Sequence, residues 1–115
     1  MKMKLTHVKA SVTDLERSLK WYTEVLGFEV ESKFPEDKPV YYHFKNNGGA
    51  IFSIGASDKV TPNGRYNFMP DDVDKLWDEL KDKVTVIEPL FDTPWGTRKF
   101  TIADPDGNEL GFYRD

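Results

Sequence analysis

The two halves of this 115-residue chain repeat one pattern of residues. When the sequence is shifted along itself by 58 positions, His7 falls on Arg65 and Asp14 falls on Asp72. The turn "NNGG" falls on "DPDG", and two copies of the pattern account for the whole chain. Few residues are identical between the copies, so the match depends on the order of the elements. Because two repeats are too few for a solenoid, we expect both copies to pack as one body.

Each copy is predicted to contain one strand, one helix and three further strands. In the first copy, residues 5–12 alternate in polarity as a half-buried strand does. Thr13 and Glu16 form a capping box for a helix, and Gly27 stands where a left-handed cap ends it. The strands "FEVESKF", "VYYHFK" and "AIFSIG" follow. The first copy therefore has the order of a βαβββ module.

The second copy repeats this order. The strand "RYNFM" precedes a helix capped by Asp71 or Asp72, and "VTVIE", "TRKFTIA" and "ELGFYR" are the last three strands. The predicted fold class is α+β, with two tandem βαβββ modules in a single domain. We place the first module at 1–55, a turn-rich connector at 56–64 and the second module at 65–115.

Composition and charge narrow the choice of partners. Sixteen Lys and Arg residues against twenty Asp and Glu residues give a net charge of −4, which disfavours a nucleic-acid partner. The stretch "MKMKLTHVKAS" has no apolar run of the length that a signal peptide needs, and no run in the sequence is long enough to span a bilayer. We therefore expect a soluble, cytoplasmic protein without a membrane partner. The absence of Cys is compatible with a reducing compartment.

Alternation along the strands separates two sheet faces. One face is almost entirely apolar and is expected to pack against the helices. The other face mixes polar, charged and aromatic groups, so it is either plain surface or the wall of a ligand site. The ligand-binding candidates on this second face are His7, Tyr41, His43, Ser53, Arg65, Asn67, Lys99, Glu109 and Tyr113. Phe34 and the loop residue Trp95 are added as flat contact surfaces, although Trp95 fits a helix-edge or dimer contact equally well.

Two stretches of the chain resemble a known family. "HVKASVTDLERSLKWYTEVLGFEV" and "PWGTRKFTIADPDGNELGF" resemble the opening and closing segments of the vicinal oxygen chelate superfamily, which includes glyoxalase I, bleomycin resistance proteins and extradiol dioxygenases. The resemblance covers nearly the whole chain and is closest to the bleomycin resistance-like members. It implies curled mixed sheets around a cleft, commonly in a homodimer. It does not fix the reaction, because members include both enzymes and metal-free binding proteins.

The resemblance also implies where a metal would bind. In metal-dependent members the ligands come from the first and fourth strands of each module. The matching positions in this chain are His7, Ser53, Arg65 and Gly111. Of these, only His7 is a good ligand: the Ser53 hydroxyl is poor, Arg65 keeps its proton, and Gly111 has no side chain. We therefore expect neither a bound metal nor another cofactor, and the last strand is expected to leave open room at Gly111.

Two functions remain open from the sequence, besides a structural or partner-binding role, and no catalytic residue is assigned. The first is a metal-independent small-molecule binding protein with a sequestering or resistance-related role, in which Arg65 and Lys99 favour an anionic or carbonyl-rich ligand. The second is a divalent-metal-dependent lyase, isomerase or dioxygenase similar to glyoxalase I. It needs a metal at His7, with His43 and Glu109 completing a facial triad in a shifted geometry. A homodimer is expected in either case, because a curled sheet leaves an edge to cover.

Overall fold

The structure is a computed structural model that describes residues 2–58 and 64–115. The chain divides into two compact units, Met1–Thr61 and Pro62–Asp115. The described part of each unit has the order βαβββ, so the predicted α+β fold of two tandem modules is confirmed. Much of the connector predicted at 56–64 lies outside the described residues. No helix in the described part of the chain is long and apolar enough to cross a membrane.

The first unit is a mixed sheet with one helical face. Its elements are β1 (His7–Val12), α1 (Leu15–Lys20), a π-helical turn (Trp21–Val25), β2 (Val30–Phe34), β3 (Tyr41–Phe44) and β4 (Ile51–Ala56). The strand order is β1-β4-β3-β2, with β1 parallel to β4 and the other neighbours antiparallel. Gly27 has a φ of 76°, as the predicted left-handed cap after the helix requires.

The start of α1 differs from the prediction. The capping residue is Asp14 and not Thr13: its backbone is extended, and its Oδ1 accepts the backbone N–H of Arg17 at 3.0 Å. Asp14 is placed one residue later than Thr13, where its carboxylate reaches the third helical N–H. The predicted capping box of Thr13 with Glu16 is therefore wrong. Glu16 accepts a hydrogen bond from the Tyr42 hydroxyl at 2.9 Å instead.

The apolar face of the first sheet forms the core of its unit, as the alternation predicts. The Tyr22 ring is fully buried and lies 5.5 Å from the ring of Phe44 and 5.7 Å from that of Phe52, measured between centroids. Aromatic side chains of this size each remove roughly 150–250 Å² from water. The other buried apolar residues on this face are Ala10, Val12, Tyr42 and Ile54.

The second unit repeats the arrangement. Its elements are β5 (Arg65–Phe68), α2 (Val73–Leu80), β6 (Thr85–Asp92), β7 (Arg98–Ala103) and β8 (Glu109–Arg114). The strand order is β5-β8-β7-β6, with β5 parallel to β8. Asp72 caps α2 by accepting the backbone N–H of Lys75 at 3.1 Å. Strand β6 continues past the predicted "VTVIE", and it tolerates Pro89 because it lies at the edge of its sheet.

A bulge in β6 changes which side chains share a face. Val86 pairs with Ile102, whereas Glu88 pairs with Thr101, so Ile87 is an extra residue without a counterpart on β7. Simple alternation from Val86 would place Glu88 on the helix side of the sheet. The extra residue moves Glu88 to the opposite, polar face, where its partner Thr101 lies.

The turn "DPDGN" between β7 and β8 has a structural role, as its composition predicts. The Asp104 carboxylate is buried and accepts the backbone N–H groups of Asp106 and Asn108, at 2.9 and 2.8 Å. Gly107 takes the positive φ of 88° that closes the loop. The turn thereby fixes the pairing of β7 with β8, and so fixes which residues of β8 lie on the polar face.

Candidate functional site

A row of four rings crosses the polar face of the first sheet. The centroids of Phe34 and Tyr41 are 5.9 Å apart, and those of Tyr41 and His43 are 4.8 Å apart, in stacked geometry. The His43 ring is 5.3 Å from the His7 ring. The structure thus brings together four of the predicted site residues, which we call the ring row. Phe34 at its end is 58% exposed, so part of the row is open to solvent.

Ser53 lies on β4, opposite His43 in the register of β3 and β4. Its hydroxyl donates to the carbonyl of Val8 at 2.9 Å, and the side chain is buried. Because Ser53 is small and its hydroxyl is turned toward the neighbouring strand, the rings of His7 and His43 can approach each other from strands on either side of β4. The hydroxyl of Ser53 is therefore engaged by the backbone of β1.

The polar face of the second sheet carries a network of charges, which we call the charged row. Nη2 of Arg65 lies 2.7 Å from Oε1 of Glu109, and Nη1 of Arg65 lies 3.6 Å from Oε1 of Glu88. The same Glu88 oxygen accepts the Thr101 hydroxyl at 2.7 Å and lies 3.5 Å from Nζ of Lys99. Two cations and two carboxylates balance each other in this row.

The contacts of the charged row shift the pKa values of its members. The Thr101 hydroxyl, followed by the charges of Lys99 and Arg65, lowers the pKa of Glu88. The hydrogen bond to Glu109 raises the pKa of Arg65, so its guanidinium stays charged. Arg65 was expected to attract an anionic ligand, but its charge is already compensated by Glu88 and Glu109. The alternation of residues does not predict Glu88 on this face, because a bulge such as that at Ile87 leaves no signature in the sequence.

The last strand does not leave the open room expected at Gly111. A Cβ atom added to Gly111 would overlap Oδ1 of Asn67, the residue opposite Gly111 on the paired strand β5. The amide of Asn67 thus fills the space that a side chain at position 111 would need. Gly111 therefore has a steric role: because it lacks a side chain, the Asn67 amide can lie on the polar face.

A small cavity of about 250 Å³ opens beside the charged row. Its lining residues are Asn67, Trp95, Thr97, Lys99 and Tyr113. We call it the Trp95 pocket, after the side chain that is 75% exposed in the β6–β7 loop. Four of its five residues were predicted as site residues, and Thr97 was missed although it lies close to Trp95 in sequence.

A larger hollow, of about 560 Å³, lies in the first unit around Gly27, Phe28 and Asn47. None of the predicted site residues lines it, and its charged members Glu29 and Lys45 form an ion pair at 3.4 Å. Size alone therefore does not identify the site. The convergence of rings, an amide and an ammonium favours the smaller Trp95 pocket.

The donor set does not fit a metal ion. Within residues 2–58 and 64–115, no group of three or more His, Cys, Asp and Glu side chains is arranged to hold one. His7 and His43 are close to each other, but Glu109, the third member of the alternative triad, accepts the guanidinium of Arg65. A cation beside Arg65 would be repelled by that guanidinium.

Comparison of the chain with known proteins identifies its family. Residues 4–112 match the model of the Glyoxalase/Bleomycin resistance protein/Dioxygenase superfamily. The chain belongs to this superfamily. A relative from Bacillus subtilis (strain 168), named a probable trivalent organoarsenical cleaving enzyme, is 33% identical over 121 residues, which cover 96% of this chain and 80% of the relative.

Two solved structures share the fold of this chain. TioX from Micromonospora sp. ML1 superposes with a TM-score of 0.79 at 23% identity, covering 97% of this chain and 98% of TioX. Lactoylglutathione lyase from Agrobacterium tumefaciens superposes with a TM-score of 0.76 at 20% identity, covering 98% of this chain and 94% of the lyase. At these identities the likeness concerns the fold alone, and the function has to be argued from the site.

Proposed function

We propose that this chain is a metal-independent small-molecule binding protein of the glyoxalase/bleomycin resistance family, with a sequestering or resistance-related role. The observation that carries the proposal is the ion pair of Arg65 with Glu109, at 2.7 Å. It occupies, in the second module, the position that corresponds to His7. A guanidinium held by a carboxylate offers no lone pair to a metal.

Two further positions support the same function. The Ser53 hydroxyl donates to the Val8 carbonyl, and the space beside Gly111 is filled by the Asn67 amide. Recruiting a metal here would require Arg65 to leave Glu109 and an additional ligand to replace Asn67. The Trp95 pocket, in contrast, already combines flat apolar surface with convergent polar groups, as small-molecule sites do.

The alternative is a divalent-metal-dependent lyase, isomerase or dioxygenase. The closeness of the His7 and His43 imidazoles favours it, and so does the name of the Bacillus subtilis relative, a probable organoarsenical cleaving enzyme. Cleavage of a trivalent organoarsenical would handle a soft element that binds thiolates, and the 115 residues contain no Cys. We therefore rank the binding function above the metal-dependent reaction.

Metal analysis and a ligand screen distinguish the two functions. We expect protein purified from medium supplemented with Mn, Fe, Ni and Zn to carry far less than one metal ion per chain. We also expect at least one compound of a metabolite and antibiotic library to raise the melting temperature equally with and without a chelator. A ligand at a hundredfold excess over its Kd adds about 2.7 kcal/mol to the free energy of unfolding.

The matched variants are His7→Ala and Trp95→Ala. His7→Ala should leave the metal content unchanged, whereas Trp95→Ala should weaken the stabilisation by the compound found in the screen. One metal ion per chain that is lost in His7→Ala would overturn the proposal in favour of the enzyme. The homodimer stays a prediction, which sedimentation velocity at micromolar concentration tests directly.

A further inference from the structure

The Trp95 pocket contains one cation, and that cation is only weakly paired. Lys99 Nζ lies 3.5 Å from Glu88 Oε1, which is longer than the roughly 2.7–2.9 Å of a strong charge-assisted hydrogen bond. The same carboxylate oxygen is already contacted by Thr101 at 2.7 Å and by Arg65 at 3.6 Å. An ammonium group has three donors, so Lys99 keeps donors for a ligand.

The other polar groups of the pocket differ in whether they are available to hydrogen-bond a ligand. The Thr97 hydroxyl lies 2.7 Å from that of Thr93, and the Thr97 backbone N–H donates to Thr93 Oγ1 at 3.0 Å, so Thr97 is committed to its own loop. Asn67 is exposed, and its side-chain amide is not engaged by any hydrogen bond among the described residues. A ligand in the pocket can therefore use one ammonium and one amide.

The apolar part of the pocket is flat. Trp95 is 75% exposed, and Tyr113 on β8 is half-buried beside Lys99, its partner in the strand register. Among the described residues the Trp95 indole has no ring or hydrogen-bond partner, so its face is open for stacking. Pockets for drug-sized ligands usually measure roughly 300–1,000 Å³, so a cavity of about 250 Å³ suits one or two fused rings.

The charged side chains around the pocket limit the number of negative charges that a bound ligand can carry. Arg65 and Lys99 are balanced by Glu88 and Glu109, so the row as a whole is neutral. A single negative charge on the ligand can share Lys99, whereas a dianion would meet the carboxylate of Glu88 close by. A planar carboxylate also lets one oxygen accept from Lys99 while the other accepts from the Asn67 amide.

We propose that the Trp95 pocket binds a flat aromatic monocarboxylate, with Trp95 and Tyr113 contacting the ring while Lys99 and Asn67 bind the carboxylate. This inference deepens the proposed function and rests on it. Lys99 is then the residue that makes the pocket prefer an acid to a neutral compound of the same shape. Gly111 takes part indirectly, because it leaves the space in which Asn67 lies.

The test uses 2-naphthoate and its neutral counterpart 2-naphthamide, titrated into the ¹⁵N-labelled full chain. We expect saturable shifts of the Trp95 indole N–H and the Asn67 side-chain amide signals. The acid should bind about tenfold more tightly than the amide, as a charge-assisted contact is roughly twice as strong as a neutral one. NMR detects even millimolar affinity, so a weak probe is sufficient.

The variants are Lys99→Met, Lys99→Arg and, as a matched control for charge, Lys83→Met, an exposed lysine of the same unit. Lys99→Met should abolish the preference for the acid, Lys99→Arg should retain most of it, and Lys83→Met should leave it unchanged. The dispersion of the amide spectrum verifies that each variant is folded. Equal binding of the acid and the amide to the native chain would overturn the inference.

The possible failures can be told apart. If the library screen finds a metal-independent ligand but the naphthyl probes do not shift the Trp95 signal, the pocket assignment is wrong and the binding function stands. If the probes bind but Lys99→Met keeps the preference, the role of Lys99 is wrong. If one metal ion per chain is bound through His7, the proposed function itself fails and this inference fails with it.

Discussion

Arg65 and Glu109 face each other across the parallel strands β5 and β8, with Nη2 and Oε1 separated by 2.7 Å. A third charged residue, Glu88, lies 3.6 Å from the other terminal nitrogen of the guanidinium. The guanidinium therefore stands between two carboxylates, in the position that corresponds to His7 of the first module. A cation placed between these two carboxylates would be repelled by the charge of the guanidinium.

Replacing the guanidinium with an imidazole should create a metal site in the second unit. In Arg65→His, one imidazole and the carboxylates of Glu88 and Glu109 supply three ligands of the kind that Zn²⁺ accepts. We expect Zn²⁺ to raise the melting temperature of this variant by several degrees and to leave the native chain unaffected. The measurement is thermal unfolding with and without 100 μM Zn²⁺.

Arg65→Gln is the control for that experiment, because it removes the same charge without adding a good ligand. Zn²⁺ should not stabilise it. Equal stabilisation of Arg65→Gln, or stabilisation of the native chain, would contradict the view that the guanidinium is what excludes the metal. In the absence of metal, both variants should lose no more than about 1 kcal/mol, because the ion pair is partly exposed.

The repeat pattern was sufficient to predict the fold. The shift that places His7 on Arg65 also matches both helix caps, Asp14 with Asp72, although the capping box at Thr13 was assigned wrongly. Element order and sheet faces follow from periodicity, because a strand alternates strictly and a helix does not. The apolar faces were therefore predictable residue by residue.

The interactions on the polar faces were not predictable in the same way. Glu88 reaches its place through a bulge at Ile87, and a bulge shifts register without a distinctive residue pattern. The position of the Asn67 amide over Gly111 depends on a side-chain rotamer, which one sequence does not specify. The sequence thus predicted which residues share each polar face, whereas the pairing of charges on that face required the structure.

The lowered pKa of Glu88 should appear in the acid stability of the protein. Thr101, Lys99 and Arg65 favour the ionised carboxylate in the folded state, so this group stabilises the fold above its ordinary pKa of 4.5. That stabilisation is lost as the pH falls below 4.5. We expect the free energy of unfolding of Glu88→Gln to fall less than that of the native chain between pH 5 and pH 3.

Urea unfolding at several pH values measures this difference. Glu88→Gln retains an oxygen that can accept from Thr101, so the change isolates the charge. The control is Glu79→Gln, an exposed carboxylate of α2 outside the charged row. If native protein and Glu88→Gln lose stability in parallel below pH 4.5, the contacts of the charged row do not act on Glu88 in the folded state.

Neighbouring tyrosines on β3 should differ in their contribution to stability. The Tyr42 hydroxyl is on the core side, donates to Glu16 at 2.9 Å and has a raised pKa because of burial and that carboxylate. Tyr41 is on the opposite face, in the ring row. We expect Tyr42→Phe to lower the free energy of unfolding by about 0.5–1.5 kcal/mol, the usual net value of one hydrogen bond.

Tyr41→Phe is the matched control, since it removes the same atom one residue away. Chemical unfolding should find it within about 0.5 kcal/mol of the native chain, as is usual for surface changes. The opposite ranking of the two variants would show that the register assigned to β3 is wrong. The ring row would then not lie on the polar face of the first sheet.

Gly111→Ala should impair ligand binding with little effect on the fold. The added Cβ overlaps Oδ1 of Asn67, which is the free end of a side chain and can rotate away. We expect a change of less than about 1 kcal/mol in the free energy of unfolding, because alanine is also the better strand residue by a similar amount. Displacing the amide from the Trp95 pocket should weaken binding of 2-naphthoate several-fold.

Gly55→Ala in the first unit is the matched control, because it adds a methyl group to a strand glycine away from the pocket. Its Cβ would lie 2.6 Å from Cδ of Lys9, which is also part of a flexible side chain. It should leave 2-naphthoate binding unchanged. Chemical unfolding and the NMR titration together give both quantities for each variant. Unchanged binding in Gly111→Ala would mean that Asn67 does not contact the ligand. A decrease of several kcal/mol in the free energy of unfolding would mean that the Asn67 side chain cannot rotate away from the added Cβ. Since the glycine and the amide face each other on paired strands, either result would redefine what the last strand contributes to the site.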